Sequence, residues 1–434
     1  MSTWLDRFSR LAQNTFVRSV ALVTSGTVAG QAIMVAVSPL LSRLYDPQDF
    51  GAFAVVASTV GVLAVLASLR YEIAIPLPPD ECGAWALARL ALVAATTVSA
   101  LLLLSAWLWG AYYLETLGLA ANQMVLAYLI PLGVMFTSLY QISNYLVIRQ
   151  RRHDLLAKGK VVQGGTAAAL QTSLGYTTLG STGLVLGMVL GRLAAAIYAL
   201  THLERTPTNC ISIREIARRY IRFPKLALPS GGINALSVEI PMLLSSSLFG
   251  ASTAGYYALA QRVVVAPLSM VGKSISQVYM SSLGERVRER DPAVVQLFTG
   301  VANRLLLLAA PPFILLGLFS PVLFKTVFGE GWYPAGMLVR VLVPAFLAQF
   351  VVVPLSQTLN FIGRQDYQLA WDALRFAGVF ASFTITHRLN LNYIYAFTAL
   401  SAFLVLAYGV HYLLMLTALR NAAASWRADE GENV

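Results

Sequence analysis

The strongest constraint on this chain is a spacing. About twelve apolar runs follow one another with only short polar stretches between them, near residues 16–42, 50–69, 87–110, 124–147, 161–178, 181–200, 226–249, 255–280, 295–319, 336–359, 371–386 and 392–417. A hydrocarbon core about 30 Å thick takes roughly 20 apolar residues of helix, so nearly every run is long enough to cross it. The expected fold class is an all-α polytopic membrane protein with about twelve transmembrane helices. Composition agrees: 57% of residues are hydrophobic and 12% are charged, against about 25% charged in soluble domains.

The formal net charge of +11 could indicate a nucleic-acid partner, so the placement of the basic residues decides. With the N-terminus assigned to the cytoplasm, 23 of the 31 lysines and arginines fall in cytoplasmic segments, and only Arg43, Lys325 and Arg388 fall on the opposite side. That asymmetry is the positive-inside pattern. It predicts cytoplasmic termini and an even helix count, and it removes the need for a nucleic acid. Basic runs such as RQRRHDLLAKGK (149–160) and REIARRYIRFPK (214–225) read as topological determinants, with contact to anionic headgroups as the alternative.

The first residues, MSTWLDRFSRLAQNTF, lack the apolar core and small-residue cleavage site of a removable signal. Trp4, Leu5, Phe8 and Leu11 recur at helical spacing, so residues 1–15 are expected to lie in the interface as an amphipathic segment. Cys82 and Cys210 both fall in cytoplasmic loops and are expected to be reduced thiols. The four histidines have no ligand-like spacing, so no metal site and no bound cofactor is expected.

An internal repeat organises the chain. LLSRLYDPQDFGAFAVVA (40–57) aligns with LLSSSLFGASTAGYYALAQ (243–261) at a constant offset of 204, which sets Gly51 on Gly255 and Phe53 on Tyr257. Six helices precede the second copy. An even number per repeat gives halves related by an axis along the membrane normal. The expected organisation is a six-helix lobe at 16–200, a cytoplasmic linker at 201–225, a second six-helix lobe at 226–417 and a cytoplasmic tail at 418–434.

The residues that remain to be explained are charges inside apolar runs. In GYYALAQRVVVAPLSMVGKSISQVYM (255–280), Arg262 and Lys273 lie eleven residues apart. In an ideal helix that separation is about 20° of rotation and roughly 16 Å of rise, so they share a face with Ser269 and Ser276, and Pro267 bends the helix between them. Arg192, Arg304 and Arg340 also fall within runs. An Arg or Lys at the bilayer centre costs about 2.5–3.5 kcal/mol on insertion scales. Such residues must face water or a partner. Snorkelling suits Arg340, close to a helix end. For the others two readings stand: a hydrated basic cavity, or structural pairing within the bundle. Among the acids only Glu239 lies clearly inside a run, and it is the candidate either for pairing with an arginine or for carrying a coupling proton or sodium ion. A basic cavity suits a phosphate group, which Arg and Lys bind through charge-assisted hydrogen bonds.

At this point a family resemblance can be stated. SLRYEIAIPLP (68–78), FPKLALPSGGINALSVEIPMLLSSSLFG (223–250), YYALAQRVVVAPLSMVG (256–272) and FGEGWYPAG (328–336) resemble the Wzx-type oligosaccharide flippases of the multidrug/oligosaccharidyl-lipid/polysaccharide exporter superfamily. The resemblance implies two six-helix lobes forming a V, related by pseudo-two-fold symmetry. It implies translocation of undecaprenyl-diphosphate-linked oligosaccharide repeat units across the bacterial inner membrane by alternating access, for O-antigen, capsule or exopolysaccharide synthesis. It also places Arg262 and Arg70, at the cytoplasmic end of the second helix, in the substrate cavity, with Lys273, Arg192 and Arg304 as further substrate-binding candidates. Partners would be membrane lipids and the polymerase and chain-length regulator of the same pathway. The chain lacks two C-terminal helices of the lipid II flippases, which favours the Wzx branch over that alternative.

Rival classes fit less well. A glycan polymerase or ligase would be expected to carry a substantial periplasmic catalytic loop, and the longest here, 320–335, has Lys325 and Glu330 as its only charges. A multidrug antiporter of the same fold would put acids in its cavity. A sugar porter would carry a Gly- and Arg-rich signature where this chain reads RYEIAIPLPPDECGA. No Gly-rich nucleotide loop is visible, so the expectation is a transporter, not an enzyme, driven by an ion gradient, the membrane potential or product removal.

Overall fold

The computed structural model describes residues 15–120, 123–204 and 212–432. Among them are twelve long helices: α1 (Thr15–Leu44), α2 (Pro47–Ala67), α3 (Glu81–Thr116), α4 (Met124–Arg149), α5 (His153–Leu174), α6 (Ser181–His202), α7 (Leu228–Phe249), α8 (Ala251–Arg288), α9 (Val294–Phe328), α10 (Tyr333–Val352), α11 (Gln365–Arg388) and α12 (Tyr393–Glu432). Every expected run overlaps one of them for most of its length, and no strand occurs among the described residues. The amphipathic segment expected at 1–15 lies almost wholly outside the described residues.

Ten of these helices are long and apolar enough to cross a membrane. The two that fall short are α5 and α11, which spend positions on Lys158, Lys160 and Gln163 and on Asp366, Asp372 and Arg375. Both pack tightly against apolar neighbours, α5 between α1 and α6 and α11 along α12. Their polar residues therefore mark faces that meet protein or water, as intramembrane charges generally do.

Helix ends follow local chemistry. Asp46 accepts a hydrogen bond from the Asp49 N–H at 2.8 Å, with Pro47 in the first turn of α2. Asp80 accepts from the Gly83 N–H at 3.2 Å at the start of α3. These carboxylates satisfy N–H groups that have no intrahelical partner. α7 stops at Gly250, whose φ of 89° is a conformation glycine adopts without strain.

Two compact units emerge from the packing, Met1–Gly255 and Tyr256–Val434. In the first, α2 is central, packing against α4, α6 and α7, and much of it is buried. α7 therefore belongs to the first unit, whose boundary at Gly255 lies thirty residues beyond the 201–225 segment. The repeat has a physical counterpart here. A side chain at Gly51 would collide with the Ala251 carbonyl, and one at Gly255 would collide with the Pro47 carbonyl. The aligned glycines meet reciprocally, each against the other copy's backbone, which is the signature of a local two-fold contact. The second unit is built on α9 against α10, α10 against α12 and α11 against α12.

Two expectations are corrected. Cys82 is disulfide-bonded and not the reduced thiol expected; Cys210 lies outside the described residues. Second, α8 is not an ideal helix. Gln261–Val265 forms a π-helical turn directly before Pro267. The Ala266 N–H bonds the Gln261 carbonyl, five residues back. A π-turn adds a residue to the turn, so the angular relation of Arg262 to Lys273 departs from the ideal-helix value.

Candidate functional site

In the first unit, the middle of the bundle holds a polar layer contributed by four helices. Ser58 of α2 donates its hydroxyl to Glu239 Oε2 at 2.6 Å. Arg192 of α6 donates from Nη1 to Thr137 Oγ1 of α4 at 2.6 Å, and Thr137 passes its own proton to the Gly133 carbonyl at 2.6 Å. Glu239 attracts Arg192 electrostatically. The Lys160 ammonium lies 5.0 Å from the centre of the Tyr140 ring. Ser58 and Thr137 are buried, while Arg192 and Glu239 are partly buried. Small residues make room for this layer: a side chain at Gly61 would stand 3.6 Å from Glu239 Oε1. Arg192 and Glu239 thus act in one neighbourhood, the cation and the acid each held by a hydroxyl.

Arg70 belongs to a second constellation, just beyond the end of α2. Leu69 and Arg70 both take left-handed backbone angles, with φ of 52° and 63°, which turns the chain sharply into the short helix Tyr71–Ala74. Arg70 Nη1 lies 3.6 Å from Glu72 Oε1, and Ser68 donates to Glu72 Oε2 at 2.5 Å. Glu72 is 1% exposed. The Arg70 guanidinium lies directly against Gly231, where any side chain would collide with it. Glu72 is the buried acid that pattern reading missed, because it sits in a polar stretch between two apolar runs. Its signal was local: a carboxylate two residues from an arginine, inside YEIA.

The second unit contains a cleft of about 250 Å³ formed by α8, α10 and the turn that follows α10. Lys273 lines it together with Ser269, Ser276, Gln349, Gln357 and Gly272. The three α8 side chains expected to share a face with Arg262 do come together here. Arg262 itself, in the π-turn, is not among the residues lining the cleft. Arg304, on α9, is exposed and makes no ion pair among the described residues. Arg340 has a different role from the snorkelling expected. Its Nε donates to the Gly317 carbonyl at 3.0 Å and its Nη2 to the Leu318 carbonyl at 2.8 Å. Pro321 has no N–H to offer the carbonyl four residues before it, so Arg340 supplies the missing donor from the neighbouring helix.

The helical architecture and the comparisons now coincide. The chain superimposes on the lipid II flippase MurJ in its inward closed conformation with a TM-score of 0.73 at 10% identity, covering 94% of this chain and 91% of that one. Its fold is that of this flippase. The family model described as polysaccharide biosynthesis protein matches residues 40–336, more than half of the chain, and the protein belongs to that family. Among relatives, it is 25% identical to the teichuronic acid biosynthesis protein TuaB of Bacillus subtilis over 45% of this chain and 41% of that protein. It is 24% identical to the succinoglycan biosynthesis transport protein ExoT of Rhizobium meliloti over 77% of this chain and 67% of that one. The match to TuaB thus spans well under two thirds of that relative.

Proposed function

We propose that the protein is a flippase carrying undecaprenyl-diphosphate-linked oligosaccharide repeat units from the cytoplasmic to the periplasmic leaflet of the bacterial inner membrane, by alternating access, with both termini cytoplasmic. The observation that carries this reading is Lys273, a cation within a membrane-spanning helix that faces a cleft where serine and glutamine side chains stand among apolar ones such as Phe346 and Phe350. An ammonium provides a point charge for a diphosphate, and serine and glutamine provide donors and acceptors for sugar hydroxyls. Arg262, eleven residues before Lys273 on α8, and Arg304 on α9 are the second unit's further cations for this path. Family membership and the name of ExoT, a transport protein, support the same class. The polymerase and chain-length regulator of the pathway are the proposed protein partners. The cycle runs on an ion gradient, the membrane potential or product removal, and Glu239 is the first unit's candidate for coupling H⁺ or Na⁺.

The test is complementation of a strain lacking this protein, read as surface glycan at matched expression. Lys273→Glu should abolish export, because it puts a negative charge where the diphosphate passes. Lys273→Ala should reduce export, and Arg262→Ala should lose more than Arg262→Lys, which keeps the charge but not the planar fork. Wild-type glycan levels in the Lys273→Glu strain would overturn the assignment. For Glu239, the glutamine variant in proteoliposomes should bind lipid-linked substrate yet lose its response to an imposed H⁺ or Na⁺ gradient. An unchanged response would leave Glu239 a structural partner of Arg192.

A further inference from the structure

The substrate path and the Arg192 layer do not account for a buried polar cluster between α11 and α12. His411 is 1% exposed. Its ring stacks on Trp371 with centroids 4.1 Å apart and planes 18° apart. Its Nε2 lies 3.2 Å from Gln368 Oε1. The Gln368 amide in turn donates from Nε2 to Asp372 Oδ2 at 3.1 Å, and Arg375 stands 3.7 Å from Asp372 and 5.0 Å from the centre of the Trp371 ring. The Trp371 N–H donates to the Ala407 carbonyl at 2.8 Å and so anchors the stack to α12.

The chemistry of this chain of contacts assigns its protons. An ionised carboxylate only accepts hydrogen bonds, so the Gln368 NH₂ must point at Asp372 and its carbonyl at His411. A carbonyl also only accepts, so the neutral imidazole must carry its proton on Nε2. Nδ1 is left as a lone pair, and this buried atom has no hydrogen-bond partner. Buried polar atoms in folded proteins are nearly always satisfied, and an exception asks for a reason.

We propose that His411, oriented by Gln368 and Asp372, is a proton-binding site of the second unit and takes up H⁺ on Nδ1. Asp372 favours the imidazolium through the polarised amide, and the Trp371 face favours it as an aromatic surface favours any cation. Arg375 opposes it. The charges acting on His411 are those of Asp372 and Arg375, both from α11. On its own helix Tyr408, one turn away, interacts with Arg375. No charged group of α9 or α10 acts on His411 among the described residues. Asp372 is 45% exposed and gives the site its outlet to water. Uptake of a proton turns Nδ1 into a donor, and the arrangement described here gives it no acceptor. It is therefore the arrangement of neutral His411, and protonation favours a different packing of α12 against α11. Because the second unit also carries the Lys273 cleft, this rests on the reading of the protein as a transporter that alternates between states.

The direct test uses full-length protein in detergent, labelled with ¹⁵N-histidine and titrated from about pH 8 down to about pH 3, because a buried imidazole changes charge below the ordinary range. One of the four histidines should start as the Nε2–H tautomer and protonate at Nδ1, and its signal should vanish in His411→Gln. Asp372→Asn should weaken proton binding about tenfold, a downward shift of roughly one pH unit. A His411 signal that stays neutral across the range, or that is indifferent to Asp372→Asn, would overturn the site. Proteoliposomes loaded with undecaprenyl-diphosphate-linked oligosaccharide then separate the two proposals. Absence of translocation by the wild type at any gradient would overturn the flippase reading while the imidazole titration still judges the site. Translocation by His411→Gln with undiminished response to a pH gradient would overturn the coupling role.

Discussion

The polar layer of the first unit and the Lys273 cleft of the second are made from the same kind of residue, a cation within a spanning helix, and they differ in what meets it. Arg192 finds a threonine hydroxyl at 2.6 Å and the field of Glu239. Lys273 finds space, exposed on α8 beside serines and glutamines, with no ion pair among the described residues. A charge held by its neighbours stabilises a fold or tunes an acid. One left facing an open cleft is available to a ligand, since desolvating it without a partner would be costly. The difference teaches that counting intramembrane cations does not count binding groups.

The largest effect that would break this comparison is on Arg192. Arg192→Ala should cost about 1–3 kcal/mol, the range for losing a charged hydrogen bond and leaving its partners unsatisfied, and export should fall only as far as folded protein falls. Thermal unfolding in detergent beside glycan export measures both. A second change, Glu239→Gln, should recover part of the loss in stability by neutralising the acid left behind, and failure to recover any would show that the two residues are not coupled.

Arg340 sharpens the comparison from the side of structure. Arg340→Gln should cost about 1 kcal/mol, the usual net worth of a hydrogen bond, because glutamine cannot serve both the Gly317 and Leu318 carbonyls. Restoring an N–H in α9 with Pro321→Ala should lessen that cost. Equal losses in both backgrounds would sever the link between Arg340 and the proline.

The smallest expected effect lies at Glu72, where burial raises the carboxyl above its ordinary value against the opposing influence of Ser68 and Arg70. A folded-state acid with a raised pKa holds its proton more tightly than the unfolded chain does. Its contribution therefore favours the fold at low pH and is lost as pH rises from the ordinary carboxyl range through the raised value. Glu72→Gln, which keeps an acceptor for Ser68, should flatten that part of the stability profile. Melting temperatures across acidic pH would show it, and an unchanged slope would place the titration elsewhere.

Much of the molecule was legible beforehand because hydrophobic length is local information. A run such as 124–147 has to be a helix of membrane length, and the structure places α4 over Met124–Arg149. The offset that set Gly51 on Gly255 was also visible, as matching residues in two stretches. Lys273, Ser269 and Ser276 were readable as one face because the helix between them is regular.

What the chain could not declare by itself was which polar groups meet across helices. The Ser58 contact with Glu239 spans 181 residues, and the Arg340 contacts with Gly317 and Leu318 depend on a proline in another helix. Glu72 looked like a loop residue and is buried; His411 looked like an isolated histidine and ends a chain of hydrogen bonds from Asp372. Secondary structure in a membrane follows from backbone hydrogen bonding and apolar length, which each segment carries within itself. Charge pairing, proton placement and the reciprocal glycine contact require two segments at a defined distance, and only the packed bundle sets that distance.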